Sequence, residues 1–366
     1  MQTRLDKLMT GANDLGLDFL ALVPGPTLSY ATGLSYFMSE RPIVVLVPVD
    51  ALPAAIVPEF EAGKARAIGM QTFTYMDEDG PALAFHEACA TMELSGARVG
   101  VESMRMRLME ARYLERYAPG AIIVHADDLF GEVRMCKDRD ELQAMRDAVA
   151  AAEDAFLTWI GQLHIGMTER EASARLVAAI LGSGAEGLAF DPIIAGGPNG
   201  GLPHAKPGER AFQSGDWVVV DWGARINGYV SDLTRMLVFG QPQGVMRDIH
   251  AVVLAANRAG RGVVAPGLPA EEVDSAARDV INLHGYAEQF THRCGHGLGL
   301  ESHEPPYIVQ GNTLPLRPGM VFTVEPGIYV PGLGGVRIED NVVVTETGSE
   351  TLTTLSRDPY RIQSER

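Results

Sequence analysis

Apolar residues recur at helical spacing from Arg4 to Leu15, and then the pattern changes. The runs FLALV (19–23), IVVLVPV (43–49) and ARVGVE (97–102) are short and almost unbroken, as buried strands are. Helix-like and strand-like segments alternate over this first stretch and predict a small α/β domain at residues 1–133. It carries no phosphate loop or other chemical motif. From residue 134 onward the elements lengthen. RDELQAMRDAVAAAEDAFLTWIGQL (139–163) has the periodicity of one long amphipathic helix. A second helix follows, with Thr168 and Glu171 spaced as a capping box at its start. The glycine-rich AGGPNGGLPHAKPG (195–208) then leads into two strand-like runs, DWVVVDW (216–222) and YVSDLTRMLVF (229–239). Asn227-Gly228 joins them, and Asn-Gly between apolar runs marks a tight hairpin.

The same order then recurs. Helical periodicity covers 244–260 and 269–284, and strand-like runs follow at VFTVEP (321–326) and GVRIEDNVVV (335–344). Gly215 precedes Asp221 by six residues, and Gly319 precedes Glu325 by six. A second acid lies further along each hairpin, Asp232 in one and Glu339 in the other. Residues 134–366 therefore predict a duplicated helix-helix-hairpin domain with its site between the halves.

A two-residue turn at Asn227-Gly228 sets Asp221 opposite Thr234, so Asp221 and Asp232 share one face as diagonal neighbours. Glu325 and Glu339 are symmetric about Gly332 and could face each other in the same way. Acids inside apolar strands lose hydration and repel one another. Pairing with Arg225, Arg235 or Arg337 would relieve this one acid at a time. For four acids converging from two hairpins, a bound metal pair does so more directly.

HRCGHGLGLESHE (292–304) adds three histidines. A lone histidine is ordinarily a surface or scaffold residue, but His296 stands between Gly295 and Gly297, which admit a ligand close to the backbone. One imidazole with four carboxylates suits manganese or iron, with cobalt and zinc also possible, and excludes a thiolate-type zinc site.

Composition narrows the partners. The chain has 366 residues and a net charge of −17, with no basic run, which disfavours nucleic acid. No segment approaches the apolar length of a membrane span, and the N-terminus lacks a signal-peptide pattern. Cys89, Cys136 and Cys294 are too scattered for a disulfide framework, which points to a reducing cytoplasm.

At VVVDWGARINGYVSDLTR, HRCGHGLGLESHE, PGMVFTVEPGIY and GVRIEDNVVVT the sequence resembles the pita-bread metallopeptidases, among them prolidase, Xaa-Pro aminopeptidase and methionine aminopeptidase. It looks most like a prolidase. The resemblance spans about residues 134–366, and the first domain adds only its size and the segment LSYATGL. It implies an α/β (α+β) protein: a creatinase/prolidase-like N-terminal domain and a pita-bread catalytic domain. It implies two divalent ions, manganese first, held by Asp221, Asp232, His296, Glu325 and Glu339, with Asp232 and Glu339 bridging. His204 and His303 fall at the positions of the family's catalytic histidines, and Arg337 at that of a supporting arginine. Cys294 departs from the family's usual threonine; it is either an oxidation-sensitive thiol or a small buried side chain. His292 has no matching role and reads as scaffold.

The implied reaction is hydrolysis of small peptides with proline second, by a metal-bridging hydroxide, with Glu325 as proton shuttle and a homodimer as the working form. Dipeptidase is the first expectation, and the compact N-terminal domain favours it over Xaa-Pro aminopeptidase. A metal hydrolase or lyase of osmolyte-like molecules, or a catalytically inactive binding module, would keep the fold and change the role.

Overall fold

The computed structural model describes residues 3–363. The chain divides into two compact units, Met1–Arg134 and Met135–Arg366. In the first, the helix Arg4–Asp14 is capped by Thr3 and packs Leu8 and Ala12 inward. A mixed six-stranded sheet runs in the spatial order 71–75, 54–58, 44–48, 19–22, 98–101, 122–125. Three of its inner strands, 19–22, 44–48 and 54–58, are apolar and fully buried, as the unbroken runs predict.

The second unit opens with the helix Arg139–Ile160, whose Asp138 and Glu141 form a capping box, and continues with Glu169–Gly182, capped by Thr168 and Glu171. Four strands follow as one sheet, in the order 360–362, 233–239, 217–222, 193–196. The helices Val245–Val263 and Ala270–Leu283 come next, then a five-stranded sheet in the order 304–308, 295–297, 321–324, 340–344, 349–351. Within both sheets the long hairpin packs beside the strand that precedes it: 193–196 lies along 217–222, and 295–297 along 321–324. The sequence duplication is therefore also a duplication of topology.

Among the described residues no helix is long and apolar enough to cross a membrane.

The first hairpin turns through Asn227 and Gly228, both at positive φ (50° and 79°), as a tight turn of that type requires. Its register pairs Thr234 with Asp221. The predicted continuous strand 229–239 is instead broken at Ser231 and Asp232. Side chains take over there: Ser231 Oγ accepts from Ala224 N at 3.1 Å and donates to Ala148 O at 3.1 Å. Asn341 brackets Asp232, its Oδ1 accepting from Asp232 N and its Nδ2 donating to Asp232 O. The second hairpin breaks similarly at Ile338 and Glu339, where Asn257 Nδ2 donates to Val324 O and Ile338 O.

Candidate metal centre

Each break falls at an acid. Released from the regular ladder, Asp232 and Glu339 turn toward Asp221, and one carboxylate oxygen from each of the three lies within 4.8 Å of the others. The pairs Val324–Asp340 and Gly327–Arg337 bracket Glu325 and Glu339 symmetrically, so these two acids also meet. A ligand atom of His296 joins them within the same 4.8 Å limit. A third group of this kind unites Asp232, His296 and His303. Asp232, Glu339 and His296 each belong to two of these groups.

The two hairpins touch through the isolated bridge between Thr234 and Glu339. Thr234 Oγ1 donates to Glu339 Oε2 at 2.6 Å and accepts from Arg337 Nε at 3.0 Å. Arg337 Nη2 donates to Asp221 Oδ2 at 2.5 Å, and its Nη1 reaches Tyr329 Oη at 2.7 Å and Pro203 O at 3.2 Å. Arg337 is thus the one arginine of the three predicted partners that pairs with a clustered acid. Arg235 pairs with Asp340 instead, and Arg225 donates to Gly228 O.

His292 is closer to this network than its sequence reading suggests. Its Nδ1 faces Arg293 O at 2.7 Å, and a carbonyl only accepts, so Nδ1 carries the proton. Nε2 is then the acceptor and takes the Tyr329 hydroxyl proton at 3.0 Å. That leaves the Tyr329 oxygen free to receive Arg337. Burial pushes the His292 pKa down to about 4, which keeps the ring neutral for this part.

The donor set fits divalent cations. Burial, followed by the charges of Glu339, Asp221 and Glu325, raises the Asp232 pKa well above the carboxylate range. Burial and then Glu325 and Asp221 do the same to Glu339. Burial raises Asp221 against the pull of Arg337, and lifts Glu325 to about 7 against the same pull. Asp221 Oδ1 is buried with no hydrogen-bond partner. His296 Nδ1 donates to Gly297 O at 3.1 Å, so its Nε2 lone pair faces Glu325 Oε1 at 3.3 Å and Asp232 Oδ2 at 3.8 Å. With the carboxylates ionised, lone pair stands against lone pair there, and a shared proton or a cation among them relieves the repulsion.

The remaining predicted residues lie at the solvent side. His303 is exposed, with its ring 3.9 Å from that of His296 and its Nδ1 3.4 Å from Arg293 Nη2. His204 is exposed on the glycine-rich loop, near enough to act electrostatically on Asp221, His292 and His303. Glu325 is the most open of the four acids. Cys294 is fully buried, and burial holds its thiol pKa well above the usual range, which favours the small buried side chain over the oxidation-sensitive thiol. Its backbone N–H donates to Asp274 Oδ1 at 2.9 Å.

Sequence reasoning missed Tyr329, Asn341 and Arg293, and gave Thr234 only as the residue opposite Asp221. Tyr329 had a signal, since it lies four residues after Glu325 in the motif PGMVFTVEPGIY. Asn341 had none, because its role is to replace ladder bonds at a break that periodicity does not show.

Comparison with known proteins agrees with this geometry. The model of metallopeptidase family M24 matches residues 143–346, and that of the creatinase/prolidase N-terminal domain matches residues 4–136. A Xaa-Pro dipeptidase of Pyrococcus horikoshii is 34% identical across 98% of this chain and 99% of its own. A probable dipeptidase of Mycobacterium tuberculosis, PepE, is 37% identical across 94% of this chain and 92% of its own. A solved prolidase from Thermococcus sibiricus superposes with a TM-score of 0.94 at 33% identity, over 98% of each chain.

Proposed function

This chain belongs to metallopeptidase family M24, and from that premise we propose that it is a Xaa-Pro dipeptidase working with two divalent ions. The observation that carries the reading is the buried cluster of four carboxylates with a neutral imidazole lone pair turned into it. Asp221, Asp232, His296, Glu325 and Glu339 would hold the ions. Of the three residues common to two ligand groups, His296 has a single free lone pair, whereas the Asp232 and Glu339 carboxylates each offer two oxygens, which supports these two as the shared ligands. The hard oxygen donors favour manganese, with cobalt, zinc and iron as alternatives. Bound there, such ions supply Lewis acidity and lower the pKa of water to near neutrality.

The chain's own groups do the rest. Glu325, the most open of the acids, takes a proton from the attacking water and passes it to the leaving proline nitrogen. His303 and His204, on the solvent side, donate hydrogen bonds to the developing oxyanion or to the substrate. Arg337 keeps Asp221 oriented through its 2.5 Å bond. A Xaa-Pro amide has no N–H, so the site needs no acceptor for one; the fixed ring asks for shape instead. A dipeptidase must also meet a free carboxylate close to the proline. We assign that contact to Arg293, whose position beside His303, stacked 4.4 Å over the Tyr307 ring, supports it. We read the enzyme as cytoplasmic and homodimeric.

A substrate panel tests this. The manganese-loaded enzyme should cleave Ala-Pro and leave Ala-Pro-Gly largely intact. Arg293→Ala should raise KM for Ala-Pro about tenfold with little change in kcat, since it removes a charge-assisted contact made before and during the reaction. Preference for the tripeptide would move the assignment to an aminopeptidase. Inertness toward both, with the ions bound, would remove the Xaa-Pro reading.

A further inference from the structure

Lys137 and Glu304 form an ion pair inside the second unit. Lys137 Nζ donates to Glu304 Oε1 at 2.7 Å and to Met135 O at 3.3 Å, and the two side chains are 1% and 2% exposed. Neither residue belongs to the metal cluster, and the reaction as derived uses neither. A fully buried pair is poor evidence of stabilisation, because desolvation offsets much of its attraction. What this one holds in place is therefore the question.

Glu304 directly follows His303, and its backbone pairs with Gly297, the residue after His296. The turn 297–304 thus follows a proposed metal ligand, carries a proposed substrate-handling histidine, and is closed by the Gly297–Glu304 backbone pair, with the Glu304 carboxylate lying against Gly299 inside it. The fit is tight. A Cβ added to Gly299, inside the turn, would lie 2.7 Å from Glu304 Oε1 and 2.9 Å from Lys137 Cε. Lys137 is itself fixed, since its backbone N–H donates to Gly319 O at 2.8 Å, just ahead of the strand Val321–Val324 that leads to Glu325. The His303 side chain is exposed, and its ring rests on His296. Its place therefore depends on how firmly its backbone is anchored, and Glu304 is the adjacent anchor.

We propose that Lys137 and Glu304 are positioning residues that set His303 over His296 by fixing the turn between them. The proposal rests on the reading of His303 as a substrate-handling group. It takes no part in metal binding and moves no proton.

The test compares Glu304→Gln, the apolar double variant Lys137→Met/Glu304→Met, and each of these combined with His303→Ala, all in the metal-loaded full chain with Ala-Pro as substrate. The double variant removes both charges and keeps the side-chain volumes, so it leaves no unpaired buried ion. Its kcat should fall about tenfold, with KM, metal content and thermal midpoint near those of the unaltered enzyme, as expected for a misplaced group. Glu304→Gln keeps an acceptor for Lys137 and should lose about threefold. Both losses should vanish when His303 is already Ala, because groups that act through one another are not additive. Losses that multiply with His303→Ala overturn the positioning role, as does an unchanged kcat in either pair variant. If the double variant does not fold, Glu304→Gln makes the same comparison alone. If His303→Ala itself has full activity, the reading of His303 fails first and takes this role with it; a slow His303→Ala enzyme with uncoupled pair variants overturns only the pair.

Discussion

One hydrogen bond decides what His296 can do. Between its two glycines the imidazole could have pointed either nitrogen at the acids, but Gly297 O takes the Nδ1 proton and leaves Nε2 bare. The same logic gives His292 its place, through Arg293 O and Tyr329. Glu325 yields a pH prediction for the metal-stripped protein. Burial raises its folded pKa to about 7, above its usual value in an unfolded chain. A raised carboxyl binds more protons when folded, so its contribution is full below the unfolded pKa and is lost as pH rises through the folded one. Stripped protein should therefore lose thermal stability from about pH 4.5 to 7, and added manganese should flatten that loss. A stripped protein whose midpoint holds level or rises over this window would speak against the repelling cluster. At this scale the sequence already pointed to the clustered acids and His296, since their identities and spacings lie on its surface. Tautomers, and the partnership of Thr234 with Glu339 and Arg337 across about a hundred residues, come from tertiary approach, which no local pattern records.

At the scale of elements, periodicity located the paired helices and the hairpins, and the Asn-Gly turn fixed the register that sets Thr234 opposite Asp221. The breaks in both hairpins were hidden, because Ser231, Asp232, Ile338 and Glu339 sit within apolar runs that read as continuous strand. The breaks are nevertheless what frees the second acid of each hairpin to turn inward. Gly223 makes the first one possible: a Cβ there would lie 1.9 Å from Ser231 O. Gly223→Ala should cost about 3 kcal/mol in urea unfolding and should reduce bound metal, since the strand must shift away from Ser231 and carry Asp232 with it. A variant with unaltered urea midpoint and full metal content would show that the close approach is not what holds Asp232.

For the whole molecule, the two halves of the second unit repeat one plan: two helices, a strand, a loop bearing a histidine, and a hairpin bearing two acids. His204 follows Gly196 by eight residues and His303 follows Gly297 by six, so even the solvent-side histidines come from corresponding loops. Only the second half adds a histidine facing the acids within the strand that precedes its hairpin, where the first half has the apolar IIAG. The site is therefore a pseudo-symmetric bowl of acids made asymmetric by His296 and Arg337. The overall charge of −17 makes this a poor surface for polyanions. The central claim is that the clustered acids and His296 work only around bound ions. The most direct measurement strips the protein of metal and follows Ala-Pro hydrolysis while manganese is titrated back. The account predicts no turnover in the stripped protein and a full rate at about two equivalents per chain. Turnover without metal, or two bound ions with no hydrolysis, would contradict it.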